Sequence, residues 1–208
     1  MADCKDSKPP RGWHSRGFLP HFDGGSIPQT VTFRLADSLP QAVLDRWENE
    51  LVTMPEARDS NERRRRIETY LDSGAGQCWL SRPEIADTVE SALLFFDGQR
   101  YLLESWVVMP NHVHALFTPA AYHGFPEILH SWKSYNSNAA NRMLSRCGEL
   151  WYPDYFDRFI RNQEHFERAI EYIEMNPVKA GLCARPEDWP YSSARFRRSL
   201  GARASSPP

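Results

Sequence analysis

The sequence lacks the cysteine spacing of zinc knuckles and of disulfide frameworks. Its four cysteines stand far apart in 208 residues, at positions 4, 78, 147 and 183, and no CxxC pair occurs. Closely spaced thiols are what a structural zinc site or a small disulfide scaffold requires, so neither is expected here. Unpaired thiols fit a reducing compartment, and we expect a cytoplasmic protein.

Long apolar runs and a strong net charge are missing as well. No stretch approaches the roughly 20 apolar residues that cross a bilayer, and the first residues, MADCKDSKPPRGW, lack the apolar core of a signal peptide. Membrane insertion and export are therefore not expected. The formal net charge of −2 argues against a surface that wraps nucleic acid throughout, but it is compatible with a local basic groove.

The length and the ends of the chain suggest one domain with loose termini. A chain of 208 residues suits a single core. Residues 1–28 are rich in proline, glycine and basic residues and predict an irregular N-terminal arm. We expect a single domain over residues 29–200 and a flexible tail over residues 201–208, GARASSPP.

Hydrophobic patterns predict an α+β fold. The segment QTVTFRL (29–35) alternates apolar and polar residues, which is typical of a strand. Further strands are predicted over 101–109, 112–118 and 154–161, and helices over 41–52, 83–96, 125–146 and 164–176. The last helix is expected to stop at Asn176, because proline disfavours helix in the residue before it. These elements predict a central antiparallel sheet of about four strands covered by helices.

Two histidines in the segment MPNHVHALF are candidate metal ligands. His112 and His114 are two residues apart, so in a strand their side chains share one face. Two neighbouring imidazoles can hold one cation. Alternatively, both histidines are polar groups of the strand that only form hydrogen bonds and bind no metal. A metal site therefore needs a third ligand.

The helix EHFERAIEYIEMNP offers that ligand and a nucleophile. Tyr172 and Asn176 are four residues apart, on adjacent turns at the flank of the apolar stripe. Two imidazole nitrogens and one amide oxygen leave the charge of a divalent cation uncancelled, which suits Mg²⁺ or Mn²⁺ acting on a phosphodiester. A phenol, with a pKa of about 10, attacks poorly when neutral, and a nearby cation favours its phenolate.

The sequence allows two alternatives to a nucleophilic Tyr172. Tyr172 can be a half-buried packing residue. Tyr135, in SWKSYNSNAAN, is a competing nucleophile, but the residue four positions later is Ala139, which cannot bind a metal. The Tyr-x-x-x-Asn spacing therefore favours Tyr172.

Four motifs together resemble the REP-associated tyrosine transposases, which are relatives of the single-tyrosine HUH insertion-sequence transposases. The motifs are MPNHVHALF, LWYPDYFDRFIR, AIEYIEMNPVKAGL and DWPYSSAR, and the likeness spans roughly residues 18 to 198. The resemblance implies the ferredoxin-like or RRM-like sheet of HUH endonucleases. It also implies that His112 and His114 are the motif histidines, Tyr172 the nucleophile and Asn176 the third metal ligand.

The same resemblance implies a DNA substrate. Family members act on single-stranded DNA with hairpins from repetitive extragenic palindromes, and cleavage leaves a 5′-phosphotyrosine and a free 3′-hydroxyl. A long segment before the histidines, with NERRRRIE (61–68) and GAGQCWL (74–80), departs from the family pattern. Candidate DNA contacts share a basic or imidazole side chain and are Arg63, Arg66, Arg158, Arg161, His165, Lys179, Arg195 and Arg197. A solvated helix face is the alternative for the arginine run.

Aromatic residues near the C-terminus are candidates for stacking on unpaired bases. Trp189, Tyr191 and Phe196 lie among the basic residues there. For Trp189 we favour a role in pinning the C-terminal segment to the core.

Two further functions remain open from sequence. One is a protein that binds DNA hairpins without cutting them. The other is a hydrolase that activates water on zinc held by the histidines. We expect a monomer that uses a divalent metal and has single-stranded DNA bearing a palindromic hairpin as its partner.

Overall fold

The N-terminal part contains a small two-stranded sheet. The structure, a computed structural model, describes residues 12–15, 20–53 and 60–197, so the predicted tail at 201–208 lies outside the described residues. Strands β1 (Gly12–Ser15) and β2 (Pro20–Asp23) pair antiparallel. The expectation of an irregular arm over residues 1–28 is wrong for these strands, because four-residue strands are too short to show an alternating pattern.

A four-stranded antiparallel sheet forms the centre of the fold. Its strands are β3 (Gln29–Arg34), β4 (Tyr101–Val108), β5 (His112–Pro119) and β6 (Phe156–Phe159), in the order β4-β5-β3-β6. Met109, Pro110 and Asn111 join β4 to β5 in the predicted hairpin, and the shorter β6 confirms the predicted fourth strand. Strand β5 pairs with both β4 and β3, which places the histidine strand inside the sheet.

The described helices surround this sheet. They are α1 (Gln41–Thr53), α2 (Ser60–Asp72), α3 (Pro83–Leu94), α4 (Phe125–Met143) and α5 (Gln163–Lys179). Helix α2 adds an element to the predicted order. It contains the arginine run. The helix was not predicted, because only a short stripe of apolar residues, Ile67 and Leu71, follows that run and is buried.

Helix α5 runs past its predicted end. Pro177 lies inside the helix, which continues to Lys179. Proline removes one backbone donor, but the N–H of Ala180 still bonds to the carbonyl of Asn176 at 2.9 Å. The bias against helix before proline is therefore overcome here, and Asn176 sits within the helix instead of at its stop.

Each face of the sheet packs against different helices. Helices α3 and α4 cover the face that carries Phe33, Ala115 and Phe117. Helix α5 packs on the other face, against Val107 and Leu116. His112 and His114 point to the α5 side, because they alternate with Val113 and Ala115 along β5.

None of the helices in the described ranges is long and apolar enough to span a bilayer, as expected from the sequence.

Candidate metal and nucleophile site

The two motif histidines lie side by side under α5. Their side chains are almost fully buried, 1% exposed for His112 and 2% for His114. The two Nε2 atoms are 3.0 Å apart. Two ligands about 2.1 Å from one ion, at a right angle to each other, are about 3.0 Å apart. The spacing and chemistry of the pair therefore fit a divalent cation.

Asn111 fixes which nitrogen of His112 carries the proton. Its Nδ2 donates to the carbonyls of Leu71 and Ala75 at 3.0 and 2.9 Å. The other end of that amide is thus an oxygen, and it lies 2.7 Å from Nδ1 of His112. An oxygen of this kind only accepts, so Nδ1 must donate. The lone pair of His112 is then on Nε2, the atom that faces His114.

Burial keeps His112 neutral. Loss of solvation lowers the pKa of its imidazole from 6.5 to about 3. His114 is oriented from β3, since its Nδ1 is 2.7 Å from the hydroxyl oxygen of Thr32. A neutral imidazole is the form that binds a metal ion, and contacts of this kind orient such ligands.

Helix α5 brings the tyrosine to the histidines. Its N-terminus is capped by the side chain of Asn162, which accepts from the N–H of His165. Tyr172 is half-buried, and its ring centroid lies 5.6 Å from that of His114 in an edge-on arrangement. His114 and Tyr172 are thus neighbours in space, although 58 positions separate them in the sequence.

Asn176 lies one turn after Tyr172 and is buried, at 1% exposure. Its Nδ2 donates to the carbonyl of Tyr172 at 2.9 Å. The remaining amide atom, Oδ1, is the one able to bind a cation. Its role as third ligand stays a prediction.

Two charged residues lie beside the site, one next to the tyrosine and one next to a histidine. Lys179 places its Nζ 4.8 Å from the ring centroid of Tyr172. Asp72, the last residue of α2, has Oδ1 3.8 Å from Nε2 of His112. Burial and, to a smaller extent, the charge of Glu68 raise the pKa of Asp72 to about 6, against an opposing effect of Lys179.

A basic cleft opens beside the tyrosine. It has a volume of about 520 Å³, and both His114 and Tyr172 line it. Its cationic or imidazole lining residues are Arg65, Arg158, Arg161, His165 and Arg168. Three residues predicted to contact DNA, Arg158, Arg161 and His165, therefore meet in one cleft that ends at Tyr172.

Other predicted DNA contacts lie elsewhere. Arg66 pairs with Glu50 of α1 at 2.9 Å. Arg195 donates to the carbonyl of Pro190, and Arg197 donates to that of Glu104. These arginines are not among the residues that line the cleft. The side chain of Arg63 lies outside the described residues. DNA binding by these four arginines stays a prediction.

The C-terminal aromatics serve packing. The indole Nε1 of Trp189 donates to the carbonyl of Val108 at 2.9 Å, and the ring packs on the α5 side of the sheet. Phe196 lies 5.3 Å from Trp106, centroid to centroid. Trp189 thus has the pinning role favoured from sequence.

Sequence reasoning did not select Asn111, Thr32 or Asp72 as site residues. One signal for Asp72 was present, since Arg65, Glu68 and Asp72 recur at i, i+3 and i+7 on one face of α2. No sequence signal joined that face to the histidines, because the contact depends on how α2 packs.

Comparison with known proteins shows what the chain is similar to. Residues 92–176, which include the histidine pair, Tyr172 and Asn176, match the family described as "Transposase IS200 like". The "REP-associated tyrosine transposase" of Escherichia coli (strain K12) is 30% identical over 100 residues, 47% of this chain. The match spans 56% of that relative, little more than half its length.

A solved structure shares the fold. It is that of a REP-associated tyrosine transposase bound to a REP hairpin, with a TM-score of 0.56 and 19% sequence identity, covering 92% of this chain and 89% of that chain. The predicted fold class is confirmed, and so is the resemblance to the transposase family that the four motifs indicated.

Proposed function

We propose that this chain, a relative of the REP-associated tyrosine transposases, is a metal-dependent endonuclease and strand transferase that attacks single-stranded DNA through Tyr172. One observation carries the proposal, the meeting of β5 and α5. The ring of Tyr172 lies 5.6 Å from that of His114, whose Nε2 is 3.0 Å from that of His112. A phenol beside two paired imidazoles suits a nucleophile next to a cation site.

The proposed cofactor is Mg²⁺ or Mn²⁺, held by His112, His114 and Asn176. When bound, such an ion supplies Lewis-acid polarisation of the scissile phosphate. The protein itself orients the ligands: Asn111 and Thr32 hold the two imidazoles, and the carbonyl of Tyr172 holds the amide of Asn176. These contacts are made before DNA arrives, so the site is preorganised.

The proposed reaction is a transesterification. Oη of Tyr172 forms a bond to phosphorus while the bond to the 3′-oxygen breaks. The phenolic proton passes to solvent, and the departing 3′-oxygen takes up a proton. A 5′-phosphotyrosine and a free 3′-hydroxyl result. The bond energy is kept in the phosphotyrosine, so another 3′-hydroxyl can take the strand without an external energy source.

The proposed substrate is an unpaired strand next to a hairpin. Arg158, Arg161 and His165 line the cleft at Tyr172, and cationic clefts of this kind track single-strand phosphates. The solved relative is bound to a REP hairpin. We extend that partner class to this chain and favour a monomer as the active form.

The test is the formation of a covalent adduct. The full chain is incubated with a labelled hairpin-flanked oligonucleotide and Mn²⁺, then denatured. We expect an adduct with the wild type, none with Tyr172→Phe, and the wild-type amount with Tyr135→Phe, because Tyr135 is 56% exposed on α4 and belongs to the other side of the sheet.

Three results would contradict the proposal. An adduct that persists in Tyr172→Phe would remove this tyrosine from its role. Cleavage without any adduct would favour a metal hydrolase. Hairpin binding that is indifferent to EDTA, with no cleavage, would favour a binding protein.

A further inference from the structure

The last turn of α2 brings a carboxylate to the histidine pair. Oδ1 of Asp72 is 3.8 Å from Nε2 of His112. This oxygen is buried and finds no hydrogen-bond partner among the described residues. Leaving a buried carboxylate oxygen without a donor or a cation is costly. An unmatched acceptor at this place indicates a cationic or hydrogen-bonding partner for Oδ1 that the described residues do not supply.

Asp72 is held at this position by the histidine motif. The amide of Asn111 binds the carbonyls of Leu71 and Ala75, which flank Asp72 on both sides. The same side chain accepts from Nδ1 of His112. One residue therefore sets the place of both the carboxylate and the imidazole lone pair. Such shared support is typical of ligands that are preorganised around one ion.

We propose that Asp72 is a further ligand of the cation held by His112 and His114, an inference that rests on the metal site of the proposed function. In octahedral geometry, ligands about 2.1 Å from the ion are about 3.0 Å apart when adjacent and about 4.2 Å apart when opposite. The 3.8 Å between Oδ1 and Nε2 of His112 lies between these limits. Mn²⁺ accepts carboxylate and imidazole ligands together.

The carboxylate closes on the ion by a small movement. In the described ranges, no three His, Cys, Asp or Glu side chains already form a metal-binding group. Asp72 must therefore rotate toward the imidazoles when the cation binds. The arrangement also gives the segment before the histidines a function: α2 completes the site with a negative charge.

Direct titration with Mn²⁺ alone tests this. Isothermal calorimetry on the full chain, without DNA, compares the wild type with Asp72→Asn, which keeps the size and removes the charge. We expect the affinity of Asp72→Asn to fall about tenfold or more. Glu68→Gln is the matched control, because it removes one negative charge a single turn earlier on the same helix. We expect its affinity to change much less.

A second measurement counts the ligands. The EPR spectrum of bound Mn²⁺ in ¹⁷O-enriched water reports coordinated water molecules, and Asp72→Ala is expected to gain one. An unchanged water count, or equal losses of affinity in Asp72→Asn and Glu68→Gln, would overturn ligation by Asp72.

His112→Gln separates this inference from the proposed function. If His112→Gln abolishes Mn²⁺ binding while Asp72→Asn binds like the wild type, only the role of Asp72 is wrong. If His112→Gln binds like the wild type, the metal site of the proposed function is itself wrong.

Discussion

Single side chains decide the chemical state of the site. Asn111 is fully buried, and each of its polar atoms has a partner: two backbone carbonyls for Nδ2, and Nδ1 of His112 for Oδ1. The direction of this amide dictates that His112 presents a lone pair at Nε2. Asn111 is a positioning residue. It acts through the imidazole that it orients.

We therefore predict that Asn111→Ala weakens Mn²⁺ binding by about 10- to 100-fold, since loss of an outer partner of a metal-binding histidine has effects of this size. Calorimetric titration measures the change. The variant is also expected to lose stability, by roughly 1–3 kcal/mol, because the partly buried carbonyl of Ala75 loses this amide donor, whereas the carbonyl of Leu71 keeps the N–H of Gly74. Asn138→Ala, an exposed position on α4, serves as the control. An unchanged affinity in folded Asn111→Ala would show that His112 is not held in this tautomer.

At the scale of elements, a buried ionic contact fastens the N-terminal sheet to the central one. His21 of β2 is 1% exposed, and its two ring nitrogens face Asp154 and Asp157 beside and within β6. Burial by itself disfavours a charged imidazole. The hydrogen bonds and charges of the two carboxylates outweigh it and raise the pKa of His21 from 6.5 to about 9. Protonated His21 therefore ties β2 to the edge strand.

This contact predicts a pH dependence of stability. A raised folded-state pKa contributes stability that is fully present below pH 6.5 and is lost as pH rises through about 9. At about 1.4 kcal/mol for each pKa unit, the loss of unfolding free energy is at most about 3.5 kcal/mol. Denaturant unfolding at pH 6 and pH 10 measures it. The difference is expected to shrink in His21→Gln and to persist in His130→Gln, an exposed histidine on α4. An equal change in unfolding free energy between pH 6 and pH 10 in His21→Gln and in the wild type would contradict a stabilising role of this contact.

At the scale of the whole molecule, charge is distributed unevenly. The formal net charge is −2, yet arginines from α2, from β6 and its following loop, and from α5 line one cleft. Because these residues come from distant parts of the sequence, only the fold concentrates them. Nucleic-acid binding by such a protein is expected to be local and to depend on salt.

We predict that single-stranded oligonucleotide binding weakens with salt and that Arg161→Gln lowers the steepness of log Kd against log salt concentration by about 0.7, the value for one phosphate contact on a single strand. Fluorescence anisotropy over a range of salt concentrations measures this slope. Arg142→Gln, exposed near the end of α4, is the control and should leave it unchanged. An unaltered slope in Arg161→Gln would mean that DNA does not follow this cleft.

The sequence by itself determined the parts of the site that follow from local periodicity. Alternation along a strand put His112 and His114 on one face, and the four-residue spacing put Tyr172 and Asn176 on one side of a helix. Motif resemblance supplied the expected roles, and the predicted four-stranded sheet was confirmed. The sequence did not predict strands β1 and β2 or helix α2. The strands are too short to show alternation, and the charged run of α2 leaves few apolar residues to show a helical period.

Only the tertiary structure decided what these parts meet. The packing of α5 on β5 set the distance between His114 and Tyr172, and the packing of α2 placed Asp72 beside His112. The tautomer of His112 depends on two carbonyls that lie 36 and 40 positions before Asn111 in the chain. The physical reason is range: backbone periodicity acts over a few residues, whereas contacts between distant segments arise only when each buries its apolar face against the common sheet.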